Sequence, residues 1–350
     1  MSALCFLLLF VLLLILLPEI LGSRFRSRAG QRVRGGILHF TLIYLLSCIV
    51  VCAEDGVVFR QQFKSGFSYR QSVKTSQSIE SPDGKGLVQG TRTEIRTTMS
   101  VEDYPGRSER VVGINYERIA VESHSGGGQM NFDSDKPETF EKSGPLQVLL
   151  KVMGKRFRMT FDENDNVLSI GELDQVMRGL EEGDPTQAAL MREMFSKEAV
   201  RRLMQQSTLR SPADKPVLPG ESWDLHDEMR LPGIGRLIFT GKYTYVGMKS
   251  FQEKPCAEVK ITAAIQLDTE GATGEDEDRS RKIKEMGFTI QGGKFEGVIL
   301  YDPEIQFVRS SKTSQVMKLA GSDPSDNARK ILIPMRQSSE MVLESFSPVK

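Results

Sequence analysis

Three ionisable side chains in the segment Trp223–Glu228 have the residue types of a metal or acid–base site. Asp224, His226 and Glu228 alternate along the chain, so a β-strand would place them on the same face. Carboxylates beside an imidazole can bind a divalent metal or raise the pKa of the histidine. One hypothesis is therefore a hydrolase with a metal-dependent or acidic site. The exposed edge of a polar strand explains the same residues without any chemistry.

Other candidates for nucleophilic chemistry are few. Three of the four cysteines precede residue 54, which leaves Cys256 as the single cysteine of the domain that follows. A catalytic thiol needs a positioned base, and this domain has only His124 and His226. Cys256 precedes the alternating segment Ala257–Ile261, which predicts a small core residue. The sequence identifies no catalytic residue and implies no cofactor.

Four methionines in the middle of the chain suggest a different kind of site. They are Met177, Met191, Met194 and Met204. Methionine is flexible and polarizable, so it fills irregular cores and also lines surfaces that accept apolar ligands. The two interpretations are a closed core and a lining that opens to admit a lipid-like ligand. The second leads to the main functional hypothesis, a non-enzymatic domain that binds an apolar ligand or a cell-envelope partner.

Most of the domain has the period-two pattern of β-strands. Phe67–Glu80 alternates over its whole length, and Thr93–Val101 and Val111–Val121 follow after turns. This predicts a first β-meander in residues 54–144 and a second β-rich part in residues 216–350. Long strands in a twisted sheet tend to coil, so we expect a curved sheet that forms an open barrel or a sandwich.

Residues 145–215 change character and predict helices around a hairpin at Lys155–Ile170. The four predicted helices start at Pro145, Glu172, Asp184 and Ser196. We therefore predict an α+β fold, in which helices from the middle of the chain lie on the concave side of long antiparallel strands. The two β-rich parts share similar hairpins, which would fit a half-domain duplication within one domain, residues 54–350.

The first 53 residues predict export. Two apolar segments, Ala3–Leu17 and Ile37–Ala53, flank five arginines. Val51 and Ala53 are small residues that a signal peptidase accepts, so we predict cleavage between Ala53 and Glu54. The first segment has three possible explanations: translation starts after it, the leader is one long signal, or both segments stay as a membrane hairpin. Each alternative places residues 54–350 in the periplasm, in the cell envelope or outside the cell.

Charge narrows the range of partners. Removing the five arginines and one glutamate of the leader from 46 basic and 46 acidic residues leaves 41 and 45, a net charge of −4. A nucleic-acid partner would require a basic face, so we expect none. The expected partners are a lipid or an envelope protein, with membrane contact only through an uncleaved leader. A purely structural envelope protein is the third interpretation.

Short motifs give the chain a family resemblance. Leu218–Trp223 reads Leu-Pro-Gly-Glu-Ser-Trp, and Gly66–Tyr69 and Gly297–Asp302 supply an early Gly-x-x-Tyr strand and a late hairpin. The chain resembles, over most of residues 54–350, a family of secreted bacterial proteins that is a domain of unknown function. That resemblance implies no activity. The expected architecture is also similar to that of periplasmic lipoprotein carriers, whose curved sheet holds acyl chains.

The leader gives the first testable prediction. Exported protein should begin at Glu54, because the residues before it have the small side chains that cleavage requires. N-terminal sequencing of the exported fraction measures this directly. A start upstream of Ile37 would rule out cleavage at this position.

Overall fold

The computed structural model describes residues 56–80, 87–102, 109–125, 128–142, 149–150, 153–162, 167–171, 209, 215–231, 235–268, 289–323 and 326–349. They belong to one compact unit, Asp55–Lys350. The strands are β1 (Phe67–Glu80), β2 (Leu87–Glu102), β3 (Arg110–Ser125), β4 (Gly128–Asp133), β5 (Arg156–Phe161), β6 (Val167–Ile170), β7 (Ser222–Leu231), β8 (Gly235–Phe251), β9 (Lys254–Asp268), β10 (Thr289–Asp302), β11 (Phe307–Asp323) and β12 (Asp326–Pro348). A 3-10 helix, Pro137–Lys142, follows β4.

These strands form one open antiparallel sheet. Its order is β6-β5-β3-β2-β1-β12-β11-β10-β9-β8-β7, and β4 pairs with the second half of β3. Most neighbours follow one another in the chain, as in a meander. One exception is β5, which lies beside β3 because β4 is off this path. The other is the central pair, in which β1 lies beside β12 from Phe67 opposite Pro348 to Ile79 opposite Met335. This long-range ladder joins the two β-rich parts into one sheet.

The structure corrects the predicted α+β class. No α-helix occurs among the described residues, and the sheet is neither a barrel nor a sandwich with helices on one side. The middle region contributes β5 and β6 to the sheet edge, because Phe157, Met159 and Phe161 alternate and are buried on the sheet itself. The helices predicted from Glu172, Asp184 and Ser196 lie outside the described residues.

Some predictions about single elements can be compared with the structure. The strand predicted at Phe67–Glu80 is confirmed as β1. The helix predicted at Pro145–Val152 is described only at Leu149 and Leu150, which have 3-10 geometry. The proposed half-domain duplication and the boundaries inside residues 54–350 stay predictions. Within the described part of the chain, no helix has the length and apolar character needed to span a membrane.

Alternation along each strand gives the sheet two unlike faces. On β1, Tyr69 and Val73 are buried on one side, here called the inner face, while Arg70 and Lys74 are exposed on the other, the outer face. The neighbouring strand has the same inner face, since Val73 lies opposite the buried Met341 of β12. A slip of one residue would exchange the two faces, so burial of the inner face fixes the register.

Residues 56–66 run across the inner face as an extended segment that we call the strap. At its beginning, Val57 exchanges two backbone hydrogen bonds of 2.9 Å with Val217. Further along, the Gln62 N–H donates to the carbonyl oxygen of Gln306 at 3.0 Å. These bonds, and further isolated ones from the backbone of Arg60, Lys64 and Gly66, do not form a continuous ladder. The attachment of the strap therefore also depends on the side chains that point at the sheet.

Two phenylalanines anchor the strap. The ring of Phe59 packs against Trp223, Tyr245 and Tyr301, with centroid distances of 5.3 Å. Phe63 packs against Tyr69, Phe161 and Phe307 in the same way. Phe63 belongs to the first apolar cluster, built mainly on β1, β2, β3 and β5. Phe59 belongs to the second cluster, built mainly on β8, β9 and β10. The strap therefore joins two separate parts of the core.

The second prediction concerns these anchors. Phe59→Ala and Phe63→Ala should each lower the free energy of unfolding by about 3–5 kcal/mol, because each leaves a cavity among aromatic rings. Val58→Ala is the matched control, since Val58 directly precedes Phe59 on the strap and is exposed; it should change stability by about 0.5 kcal/mol or less. Urea unfolding measures all three. Equal effects of the three changes would show that the strap does not hold the clusters together.

Candidate ligand-binding face

A third apolar cluster occupies the inner face away from the strap. Its buried members come from β8, β9 and β11, and partly buried side chains of neighbouring strands pack against them. The cluster consists of Leu237, Phe239, Ile265 and Met317, with Leu267, Ile290, Phe295 and Met335 around it. Phe239 lies six residues before Tyr245, the strap contact on β8, which corresponds to roughly 20 Å along the strand. Phe295 packs against both the second and the third clusters, so the apolar surface is continuous between them.

A band of uncharged polar side chains lies on the same face, across β3, β2, β1, β12 and β11. Its members pair across neighbouring strands. The hydroxyl pairs are Thr91–Ser123 at 3.3 Å and Thr75–Ser339 at 3.4 Å, and Gln315 donates to Gln337. These residues are mostly half-buried. The inner face thus combines an apolar area with neutral hydrogen-bonding groups, which suits a ligand with an apolar chain and an uncharged polar end.

The outer face has opposite chemistry. A groove of about 400 Å³ crosses β11, β12, β1, β2, β3 and β4. Its floor contains a row of side chains in register: Lys312, Glu340, Lys74 and Glu94, in that order across the sheet. Positive and negative charges alternate along the row, so they attract their neighbours across strands. This arrangement is typical of a solvated face that is stabilised by cross-strand pairs.

The strongest ion pair of the groove joins Arg118 of β3 to Asp133 of β4. Arg118 Nε and Nη2 donate to the two carboxylate oxygens at 3.1 and 2.9 Å, and Nη1 lies 3.2 Å from Glu94 Oε1. The hydrogen bond from Arg118 holds the pKa of Asp133 below its usual value, and the same bond raises the pKa of Arg118. Asp133 therefore stays ionised, which suits a structural anchor rather than a proton donor.

The candidate acid–base residues lie on the outer side of β7, at an edge of the sheet. His226 Nε2 is 3.8 Å from Glu228 Oε1, and the two side chains are 65% and 42% exposed. The other oxygen of Glu228 is 3.1 Å from Arg236 Nη1, and Asp224 lies opposite Lys242 of β8. No group of three His, Cys, Asp or Glu side chains in the described part of the chain could hold a metal ion. The hydrolase hypothesis thus has no enclosed site here.

The remaining sequence candidates fall into two groups. Cys256 is buried, and burial raises the pKa of its thiol to about 11, so the predicted core role is confirmed. The other candidates lie outside the described residues, and their roles stay predictions. These are the ligand candidates Met177, Met191, Met194 and Met204 and the cleavage residues Ala53 and Glu54.

Sequence reasoning missed the strap. Its inward residues alternate as Val57, Phe59, Gln61 and Phe63, all of which are buried. That alternation was a visible signal, but it covers only a short segment directly after the leader. Its partners lie far away in the chain: the Tyr301 hydroxyl donates to the Arg60 carbonyl across 241 residues of sequence.

Comparison with known proteins adds a family and a few distant structures. The profile of the DUF6263 family, a family of unknown function, matches residues 109–303. No curated protein matches the chain. Lipovitellin is 10% identical with a TM-score of 0.43; the match covers 83% of this chain and about a quarter, 26%, of lipovitellin.

Two bacterial structures are also similar over most of their length. A protein of Bacteroides fragilis NCTC 9343, provisionally named as exported and with a YmcC-like fold, is 14% identical with a TM-score of 0.23. That match covers 83% of this chain and 99% of the other. A provisionally named lipoprotein of Parabacteroides distasonis ATCC 8503 is 13% identical with a TM-score of 0.24, covering 84% and 100%. All three TM-scores are below 0.5, and no inference about this chain rests on them.

The third prediction tests the Arg118–Asp133 pair through pH. A lowered folded-state pKa stabilises the fold above the unfolded pKa of about 4, and this stabilisation disappears as pH falls through the folded value. Asp133→Asn should therefore cost about 1–3 kcal/mol at neutral pH, and the difference from the original protein should vanish in acid. Asp135→Asn is the comparison, because Asp135 Oδ2 lies 3.5 Å from the same Arg118 Nε but its side chain is 57% exposed, so its loss should cost much less. Unfolding curves from pH 7 to pH 2 measure both, and a cost that is independent of pH would contradict the assignment.

Proposed function

We propose that this chain, which belongs to the DUF6263 family of unknown function, is an exported, non-enzymatic domain that binds an apolar, lipid-like ligand on the inner face of its sheet. The observation that carries the proposal is the third cluster, whose Phe239 lies roughly 20 Å along β8 from the strap contact Tyr245. It lies on the same face as a neutral polar band. Ligand sites for apolar molecules have this composition, a mainly apolar lining with a few hydrogen-bonding groups.

The path of the chain is a second argument that the ligand site lies on the inner face. β6 and β7 are consecutive strands, yet they form the two opposite edges of the sheet. Before it enters β7, the chain places Leu209, 3% exposed, in the second cluster on the inner face. The segment between β6 and Leu209 contains the four candidate methionines. We therefore propose that the ligand contacts Met177, Met191, Met194 and Met204, whose side chains can adapt to an apolar molecule.

The proposal that the domain is exported is based on the leader. A secretory apolar segment that ends in Val51-Cys52-Ala53 would deliver Glu54–Lys350 across the membrane. An apolar ligand is compatible with that location, since lipids that move between membrane surfaces must be shielded from water. The net charge of −4 derived above fits a carrier that does not adhere to anionic lipid.

The fourth prediction tests the ligand. Protein purified from the exported fraction without detergent should contain lipid that organic extraction releases and mass spectrometry detects. Met194→Glu should reduce the lipid per protein at least severalfold, because a carboxylate that faces an acyl chain must be desolvated or protonated. Met194→Leu is the matched control and should retain the lipid, since it keeps size and apolar character.

Circular dichroism separates this effect from unfolding. Both variants should keep the strand signal of the original protein. If the original protein contains no lipid, the carrier function is wrong. If only Met194→Glu unfolds, Met194 is part of a closed core.

A further inference from the structure

Two glutamines on the inner face are buried without a hydrogen-bond partner. Gln61 of the strap is 8% exposed, and Gln71 of β1 is 2% exposed. The amide nitrogen and oxygen of Gln61 have no partner, and neither has the amide oxygen of Gln71. Buried polar groups are almost always paired in folded proteins, because an unpaired one loses its bonds to water. These three atoms therefore need an explanation.

Both glutamines lie at the boundary between the first and second clusters. Gln61 is two residues from Phe59 of the second cluster and two from Phe63 of the first. Gln71 is two residues from Tyr69 of the first cluster and two from Val73 of the second. Since inward side chains alternate on both segments, the two amides occupy the polar position between the clusters. We call this position, defined by Gln61 and Gln71, the amide pair.

Two cations of the strap and of the turn that it contacts are already engaged, which favours an uncharged group at the amide pair. The ammonium of Lys64 donates to the Glu304 carbonyl at 2.8 Å, which directs its charge to the turn between β10 and β11. Arg309 is paired with Asp302 beside the same turn. A carboxylate or phosphate at the amide pair would therefore find no unengaged positive charge on Lys64 or Arg309. A neutral polar group avoids that cost of burying an unpaired charge.

We propose that the amide pair is the binding site for the polar end of the ligand. The three unpaired atoms are one amide donor group, on Gln61, and two oxygen acceptors, on Gln61 and Gln71. They are complementary to an uncharged group that has two donors and one acceptor, the inventory of a primary amide. Its two N–H groups would donate to the two glutamine oxygens, and its carbonyl would accept from Gln61 Nε2.

The proposal places the apolar chain of such a ligand along the inner face. From the amide pair it would pass the second cluster and reach the third through Phe295, which contacts both clusters. This inference rests on the proposed function, because it assigns the head-group position of the same ligand. It adds the chemical class of the ligand, an acyl chain that ends in a neutral group with hydrogen-bond donors.

A pair of matched probes tests the assignment. Oleamide has the two N–H donors, and N,N-dimethyloleamide has the same chain and carbonyl without them. The delipidated protein should bind oleamide about tenfold more tightly than the dimethyl compound, by fluorescence displacement or calorimetry, as expected for the loss of one or two hydrogen bonds. This comparison uses the original protein, so it does not depend on the folding of any variant.

Variants then show which residues cause the preference for oleamide. Gln71→Met and Gln61→Met conserve side-chain volume and should reduce the tenfold preference to about twofold or less. Ligand-free Gln71→Met should also unfold at a higher temperature than the original, because its unpaired acceptor is gone. Gln77→Met is the matched control, since Gln77 lies on the same face of β1 but is half-buried and outside the amide pair; it should keep the preference.

The outcomes separate the two proposals. If neither probe binds the original protein, the lipid-binding function and the head-group site both fail. If both probes bind equally, the function stands and the amide pair is not the head-group site. The same conclusion follows if the preference survives in both Gln61→Met and Gln71→Met.

Discussion

The contact of Phe59 and Phe63 with the inner face is the interaction on which the described sheet depends. A sheet that is apolar on one face needs a second layer over it. Among the described residues, the strap supplies part of that layer with two aromatic rings, one in each of two clusters. The turn that receives the strap is itself fixed, because Asp302 accepts the N–H groups of Glu304 and Ile305. Gln306 can then present its carbonyl to Gln62.

The position of the strap links the beginning of the domain to the middle of the sheet. It directly precedes β1, and β1 pairs with β12 in the middle of the sheet. The first described residues of the domain therefore contribute both one strand of the central ladder and part of the cover of the inner face. Cleavage between Ala53 and Glu54 would leave Val57 and its bridge to Val217 intact, whereas cleavage a few residues later would remove the first attachment of the strap.

Local patterns predicted single strands well and predicted their assembly poorly. Phe67–Glu80 alternates without interruption, so its bounds could be read from the sequence. The pairing of β1 with β12 has no local signal, because it joins segments from the two ends of the domain. The α+β class was wrong since the hairpin of the middle region extends the sheet instead of accompanying helices. In the candidate site, burial of Cys256 could be predicted, but the boundary position of Gln61 depends on distant clusters.

The two faces treat their polar groups in opposite ways. On the outer face, Arg118 satisfies Asp133 with two hydrogen bonds, and the groove row alternates in charge. On the inner face, the hydroxyl and amide band pairs across strands, while Gln61 and Gln71 keep unpaired atoms deeper in the core. Replacing Gln61 by an apolar residue of similar size would remove two unpaired polar atoms from the core, and the same change at Gln71 would remove one. Under the head-group proposal these polar groups lower the stability of the ligand-free fold, and a ligand that supplies the missing partners gains the hydrogen bonds that the fold leaves unmade.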